Sequence, residues 1–461
     1  MRPRRLVISS LLEALQGQPL VSSAELTEML GVSQPTVSRG LAALGPRVVK
    51  IGRTRATQYG LARAIGRLGS HWPIYRIDED GKPHELGTLH ALQQGHWYFE
   101  SDQDVESLRF GEFARGVFPD LPWFLDDQRP QGFLGRAFAQ AHAEGLDAPP
   151  DILLWNGEHV LTALLSHGDN LPGNLVVGDA SLERALQEIV RPTGTVRLSD
   201  RVSRFPEMAG RAILGQSVGS SAGGEQPKFT VCIDDGGGDY QSAIVKFSEP
   251  ASTPSALRWA DLLQCEHLAG KVLEEGGIPA ARTHVVDSDS RRFLQSQRFD
   301  RTARLGRRGY VSLRSLDAAF YGRGRAPWSE MAQALQGDGW ITAESARWMK
   351  IAGFFGDMIG NIDMHFGNIA FELKATRPLG WVPVFDMLPM LYAPTTPGAI
   401  VDREFRTKPP HTRTLAEWSL AAALAVEFWN RVSRDRRISE GFREIARMNQ
   451  ASVASMHHRF G

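Results

Sequence analysis

Residues Asn361-Ile-Asp-Met-His-Phe-Gly-Asn368 interleave polar and apolar side chains directly after a helical, apolar stretch, Gly353-Phe-Phe-Gly-Asp-Met-Ile-Gly360. Polar groups in such a setting are costly to bury unless they converge on something. Asp363 and Asn368 have the spacing of a phosphotransfer loop. In such a loop an aspartate accepts or orients the proton of an attacking hydroxyl, and a later asparagine holds magnesium. After a turn at Thr376-Arg-Pro-Leu-Gly380, the apolar run Trp381-Val-Pro-Val-Phe385 reads as a strand ending on Asp386. A lone carboxylate there fits a second metal ligand, with room for one hairpin between it and Asp363. His365 is placed to brace the loop or to approach phosphates. Each residue alone also fits a cap or a turn; the ordered set points to phosphoryl transfer.

That chemistry needs elements to present a nucleotide. Ser220-Ser-Ala-Gly-Gly-Glu-Gln-Pro-Lys228 is a run of small residues whose backbone N–H groups can cradle phosphate oxygens. It matches neither the P-loop nor the glycine loop of ordinary protein kinases. A strand at Phe229–Ile233, a turn at Asp234-Asp-Gly-Gly-Gly-Asp239 and a second strand bring Lys246 in after Ala243-Ile-Val245. A lysine in that position pairs with nucleotide phosphates in kinases; by itself it also reads as a strand end turned to water. Trp259 to Leu273 has helical apolar spacing and carries Glu266, placed either to pair with Lys246 or to face solvent. Ile278–Val286 and Phe293–Arg301 read as a further strand pair leading to a hinge, where backbone groups near Gln297 to Phe299 would seat adenine. Thr412 to Phe460 is rich in Ala, Leu, Glu and Arg without proline and reads as a helical bundle.

The first 63 residues differ in charge from the rest of the chain. Arg2, Arg4, Arg5, Arg39, Arg47, Lys50, Arg53, Arg55 and Arg63 face only Glu13, Glu25 and Glu28, inside a protein of formal net charge zero. Leu26 and Leu30, a break at Gly31, Ser33 as N-cap with Pro35 behind it, and then Val37, Leu41 and Leu44 make a helix-turn-helix pattern. Gln34, Thr36, Ser38 and Arg39 face outward on the second helix, where they would enter a major groove. Two strand-like runs around Gly52 and Arg53 make a basic hairpin, a wing whose Arg53 and Arg55 would meet phosphates. With 461 residues, the chain divides into two to four domains or lobes. Two cysteines, Cys232 and Cys265, without metal-ligand spacing argue for a reducing compartment. With no long apolar run, the expectation is a cytoplasmic protein without membrane contact.

Together these pieces resemble the HipA family of bacterial serine/threonine kinases from toxin–antitoxin pairs. The resemblance is carried by Ser221-Ala-Gly-Gly-Glu-Gln-Pro-Lys228, Ile244-Val-Lys246, Arg298-Phe-Asp-Arg301, Asn361 to Asn368 and Val384-Phe-Asp386, with the N-terminal module marking the YjjJ-like (HipH-like) type. Phe118-Pro-Asp-Leu-Pro-Trp-Phe-Leu-Asp126 and Asp169-Asn-Leu-Pro-Gly173 look like the family's smaller subdomain. The resemblance implies an α+β, protein-kinase-like two-lobed fold with an N-terminal winged helix-turn-helix and a largely helical C-terminal lobe. Its divisions are residues 1–63, a HipA-type subdomain at 64–200, a kinase N-lobe portion at 201–300 and the C-lobe at 301–461. It implies Asp363 as catalytic base, Asn368 and Asp386 on Mg2+, and Lys246, Gln226, Lys228, Gln297, Phe299 and His365 on ATP. Ser221, or Ser220 beside it, would be autophosphorylated and switch the enzyme off. Gln297 stands where the family has glutamate, and Met364 and Phe366 where polar residues are common. Implied partners are DNA, a protein substrate such as an aminoacyl-tRNA synthetase, an antitoxin, and a second copy of the chain. Rival readings are a transcription regulator that senses a nucleotide and a small-molecule phosphotransferase.

Overall fold

The computed structural model describes residues 4–53, 56–215, 226–395 and 398–461. The fold is α+β, with two lobes behind an N-terminal winged helix. The winged helix consists of α1 (Arg4–Gly17), β1 (Val21–Ser22), α2 (Ser23–Leu30), α3 (Gln34–Leu44), β2 (Val48–Ile51) and β3 (Gln58–Leu61), with its sheet in the order β1-β3-β2. Ser22 opens α2 with a reciprocal capping box: its Oγ accepts from Glu25 N–H at 3.2 Å, and its own N–H donates to Glu25 Oε2 at 2.7 Å. Gly31 ends that helix in the left-handed conformation, which a glycine adopts at no steric cost. Ser33 precedes α3 as expected but caps nothing with its side chain. Its hydroxyl pairs instead with Thr36 Oγ1 at 2.9 Å.

The middle region builds an antiparallel sheet from β4 (His71–Ile77), β5 (Pro83–Ala91), β6 (Trp97–Glu100), β7 (Val117–Phe118) and, later, β8 (Leu175–Val177). Helices α4 (Gly132–His142), α5 (Gly157–His167) and α6 (Asp179–Val190) accompany it. Val49 and Ile51 of the wing are buried against Leu92 and Tyr98 of this region. Arg63 joins that contact: its N–H donates to Ala91 O, its Nε to Leu92 O at 2.9 Å, and its guanidinium pairs with Glu158.

A second five-stranded sheet forms the N-lobe: β9 (Val196–Arg197), β10 (Lys228–Asp234), β11 (Tyr240–Phe247), β12 (Thr283–Ser288) and β13 (Arg291–Gln297), ordered β12-β13-β11-β10-β9. Between β9 and β10 runs α7 (Arg201–Ile213), and between β11 and β12 runs α8 (Pro254–Glu275). Alternation decides what each face of the hairpin does. Phe229, Val231, Ile233, Ala243, Val245 and Phe247 are buried with Phe205, Ala209 and Ala212 of α7. Lys228, Thr230, Ser242 and Lys246 therefore share the opposite face, with Lys228 and Lys246 directly paired across the strands.

The C-lobe carries β14 (Val311–Ser312), α9 (Leu313–Phe320), α10 (Trp328–Gly337), α11 (Ala343–Ile359), β15 (Ala370–Glu372), β16 (Gly380–Trp381), α12 (Leu415–Arg434) and α13 (Glu440–Phe460). The hairpin expected between the Asn361–Asn368 loop and Asp386 is present as β15–β16. The strand expected over 381–385 stops at Trp381, because Pro383 has no N–H to give a ladder. Val384 makes only an isolated parallel bridge to Ala280.

A buried ionic latch joins the hinge to the middle region. Asp300 accepts from Arg298 at 2.9 and 2.8 Å, from Arg301 at 2.8 Å and from Gly173 N–H at 2.8 Å. The two arginines also donate to Asn170 Oδ1 at 3.1 and 3.2 Å and to Leu171 O. Burial raises the Asp300 carboxyl, but Arg298 and Arg301 outweigh it and hold it well below the usual range. Asp300→Ala leaves both guanidiniums buried without their carboxylate and should cost about 3–5 kcal/mol. A fall in the urea unfolding midpoint, larger than that of Asp300→Asn, is the expected readout.

Candidate active site

Lys246 is the centre of the site. Its Nζ donates to both Glu266 oxygens at 2.7 Å and to Asp386 Oδ1. Helix α8 brings Glu266 down from the N-lobe, where Thr253 caps its start and Pro254 occupies its first turn. Asp386 comes from the C-lobe and adopts a left-handed backbone, φ 55°, which aspartate tolerates better than most residues. Burial alone would lower the ammonium's pKa; Asp386 and Glu266 outweigh it and raise it, so the lysine stays charged. Burial raises the Asp386 carboxyl, but Lys246 and then Lys228 hold it below the ordinary value. At Glu266 burial wins over Lys246, and the carboxyl lies above its ordinary value.

The loop Asn361–Asn368 begins where α11 ends on left-handed Gly360. Its polar side chains bind its own backbone. Asn361 Oδ1 accepts from Asp363 N–H at 3.1 Å, and Asn368 Nδ2 donates to Asp363 O at 2.8 Å. Asn361 Nδ2 also donates to Asp386 O at 3.3 Å. Asn361 is thus a positioning residue that links the loop to Asp386; its position in the polar run was visible, its role was not. Asp363 and His365 are about half exposed, with His365 Nε2 3.9 Å from Asp363 Oδ1. His365 Nδ1 accepts from Gly367 N–H at 3.1 Å, which braces the loop.

The remaining expected residues fall in several places. Lys228 is buried beside Lys246. Gln226 is partly buried, with its Nε2 lacking a partner among the described residues. Gln297 ends β13, and its N–H donates to Arg282 O at 2.9 Å. Phe299 lies between Tyr310 and Phe385, ring centroids 5.9 and 5.7 Å away. Ser220, Ser221 and Arg55 lie outside the described residues. Gln34, Ser38 and Arg39 are exposed on α3, and Thr36 is half-buried. Arg53 is exposed and pairs with Asp102 of the middle region at 3.3 Å. Arg298 and Arg301, quoted above only as part of a motif, form the latch. Their signal was a dense charged run directly after the strand Arg291–Gln297.

A cavity of about 590 Å³ opens along β10 between the N-lobe and the middle region, lined by Thr230, Cys232, Ser242, His167, Asn170 and Arg298. Burial pushes the Cys232 thiol up to about 11, which removes it as a nucleophile at neutral pH. Among the described residues no group of three or more His, Cys, Asp or Glu could hold a metal. No helix among them is long and apolar enough to cross a membrane.

Residues 68–186 match the middle domain of YjjJ-like toxins, and residues 220–452 match the HipA-like C-terminal domain. The toxin YjjJ of Escherichia coli (strain K12) is 36% identical over 427 residues, covering 92% of this chain and 93% of that protein. The chain belongs to the YjjJ-like, HipA-type toxin family. Solved structures with some likeness include HipA from the Shewanella oneidensis MR-1 toxin–antitoxin system, in complex with HipB and operator DNA. It is 14% identical with a TM-score of 0.49, over 84% of this chain and 97% of that one. The proinflammatory kinase CtkA of Helicobacter pylori is 12% identical with a TM-score of 0.35, over 51% of this chain and 91% of that one. In this HipA-type chain the Lys246, Glu266 and Asp386 cluster joins the N-lobe to the C-lobe.

Replacing Lys246 with Met leaves Glu266 and Asp386 facing each other without their cation, so the Glu266 carboxyl should rise further. A carboxyl raised in the folded state contributes stability that is fully present below its unfolded value of about 4.3 and lost as pH rises through the folded value. Relative to wild type, Lys246→Met should therefore lose stability between about pH 5 and about pH 8. Urea unfolding midpoints at the two pH values check this; an unchanged difference would refute it.

Proposed function

We propose that this chain is an ATP- and Mg2+-dependent serine/threonine protein kinase toxin with a DNA-binding N-terminal module. The observation that carries the reading is the buried Lys246, paired with Glu266 of α8 and with Asp386 beside the loop that holds Asp363. A kinase needs that lysine–glutamate pair and that aspartate in place together. The residues also fit the metal. Asn368 uses its Nδ2 on Asp363 O, which leaves its Oδ1 as an acceptor. Asp386 supplies a carboxylate held in its charged form. Magnesium usually takes one or two such protein ligands and completes its shell with phosphate and water. Bound Mg·ATP supplies the transferable phosphoryl group and neutralises its charge.

In this mechanism Lys246 and Lys228 bind phosphate oxygens, and Glu266 keeps Lys246 extended. Asp363 accepts the proton of the substrate hydroxyl, and Asn361 holds the loop that carries it. His365 braces the same loop beside the phosphates, while Gln226, Gln297 and Phe299 bound the nucleotide site. Ser221, or Ser220, is the proposed autophosphorylation site, because about two added charges on a phosphate-holding loop would repel the nucleotide. The protein target, for which an aminoacyl-tRNA synthetase is the first candidate, a separate antitoxin and a homodimer complete the proposal.

A second reading, a regulator that only senses a nucleotide, is favoured by one feature: the wing is packed firmly on the middle region. Asp363→Asn separates the two. It should lower transfer of labelled phosphate from ATP by about 10²–10⁴-fold while ATP binding stays nearly unchanged. Intact mass and phosphoproteomics identify the acceptors; wild type that binds ATP without any transfer would leave the sensor reading standing. For the DNA module, Arg39→Ala and Lys50→Ala should each weaken binding. Loss of Lys50 as a phosphate contact should reduce the slope of log affinity against log salt by about 1, as measured by fluorescence anisotropy.

A further inference from the structure

We infer that the outer edge of β12, the border strand of the N-lobe sheet, takes up an extended acidic peptide segment of a partner protein as an added strand. β12 pairs only with β13. In an antiparallel ladder, successive residues turn their backbone groups alternately toward the neighbouring strand and away from it. Gln297 N–H donates to Arg282 O at 2.9 Å, and Thr283 lies opposite Ser296. Arg282, His284, Val286 and Ser288 are therefore the residues bonded to β13. Thr283, Val285 and Asp287 turn their N–H and C=O groups outward, where they meet no backbone partner among the described residues.

The start of the same edge is already filled. Ala281 N–H donates to Val384 O at 2.8 Å, and Val384 N–H donates to Pro279 O at 2.9 Å. Beyond that isolated bridge the C-lobe chain leaves β12, and the rest of the edge stays open. An open edge is a template for another strand. A peptide added in this way takes its affinity from main-chain hydrogen bonds and its specificity from the side chains that flank it.

The flanks here carry positive charge. Val286 is buried with Phe205 of α7, while Thr283 Oγ1 meets His267 Nδ1 of α8 at 2.8 Å, so α7 and α8 border opposite faces of β12. Arg201 opens α7 and donates to neutral oxygens, Gln295 Oε1 at 2.8 Å and Leu198 O at 3.0 Å. Lys271 lies one turn after His267 on α8; it and Arg282 are exposed. The carboxylates that border these groups are held by other arginines: Asp287 by Arg292 at 2.8 Å, Asp435 by Arg437 at 2.7 Å and Glu275 by Arg431 at 2.9 Å. The two histidines register the same field. Burial lowers the pKa of His284, and Arg201 and Lys271 lower it further. Burial also lowers His267, and Lys271, Arg437 and His284 outweigh Asp435 to bring it to about 4. Cations thus face the open edge from both sides, and glutamate or aspartate on either face of an added strand answers them.

Fluorescence anisotropy on the full chain tests this, with a labelled peptide of about eight residues that alternates Val and Glu. Saturable binding is expected. The same peptide with Lys in place of Glu, or with every backbone nitrogen methylated, should bind about tenfold or more weakly. Val285→Pro removes an outward N–H without touching the ladder to β13, a place where an edge strand tolerates proline, and should weaken binding by about tenfold or more. Lys271→Glu and Arg282→Glu, at exposed positions, should do the same and keep the test open if the proline unfolds the strand. No saturation by about 1 mM peptide would overturn the inference. So would a peptide that loses affinity in Lys271→Glu but binds Val285→Pro, or binds in its methylated form, as well as it binds wild type; the surface would then be a general polyanion site.

Discussion

An ammonium buried as deeply as that of Lys246 must be compensated by carboxylates, and the fold brings one from each lobe. Glu266 arrives on α8 and Asp386 on the segment after β16, so the lobes can meet only in the registers that bring both within hydrogen-bond reach. The requirement extends further. Asp386 adopts a left-handed backbone, and its carbonyl accepts from Asn361, so the same contact fixes where the loop of Asp363 begins. One buried charge thereby orders the β10–β11 hairpin, α8, the Asn361–Asn368 loop and the β16 segment together.

The seam with the middle region follows the same electrostatic logic with the opposite balance. Around Lys246, two carboxylates face one ammonium, with Lys228 nearby as a second cation. Around Asp300, one carboxylate faces several guanidiniums, and carbonyls of Leu171, Gly173 and Asp169 accept further hydrogen bonds from those guanidiniums. Carbonyl oxygens satisfy hydrogen bonds but carry no net charge, so they ease the donor count without removing the charge surplus.

The parts of the fold legible in the sequence were those set by short-range signals. The break at Gly31 between two helices, the hairpin turn at Asp234–Asp239 and the polar run from Asn361 to Asn368 each carry their information within a few residues. The ordered set of Lys246, Asp363, Asn368 and Asp386 could be named because each follows a strand or helix of recognisable pattern. The pairing of Glu266 stayed open in the sequence, since a helix pattern alone does not say which face meets a lysine on another element. The latch was hidden for a similar reason: Asn170 and Gly173 approach Arg298 and Asp300 only after the chain has folded. Two residues, Val196–Arg197, join the N-lobe sheet as a parallel edge strand; so short a strand has no periodicity to detect. The strand drawn over 381–385 failed because an apolar run is necessary for a ladder but a proline within it removes a donor.

The mode of attachment of the winged helix bears on how DNA and the cleft could influence each other. A module on a flexible linker would let the kinase-like body reorient freely above a bound duplex. Here the underside of the wing is buried on Leu92 and Tyr98, and Arg63 is used internally, by Leu92 O and Glu158, and not kept for phosphate. The exposed face of α3 therefore has a set orientation relative to the middle sheet, and a single apolar core runs on from that sheet into the C-lobe. Arg53 is the exception. Its pair with Asp102 is almost fully exposed, so it contributes little stability and yields readily to a phosphate. On the DNA-binding reading, docking would exchange that weak contact and leave the rigid one intact, so the position of the operator would set the direction in which the catalytic cleft faces.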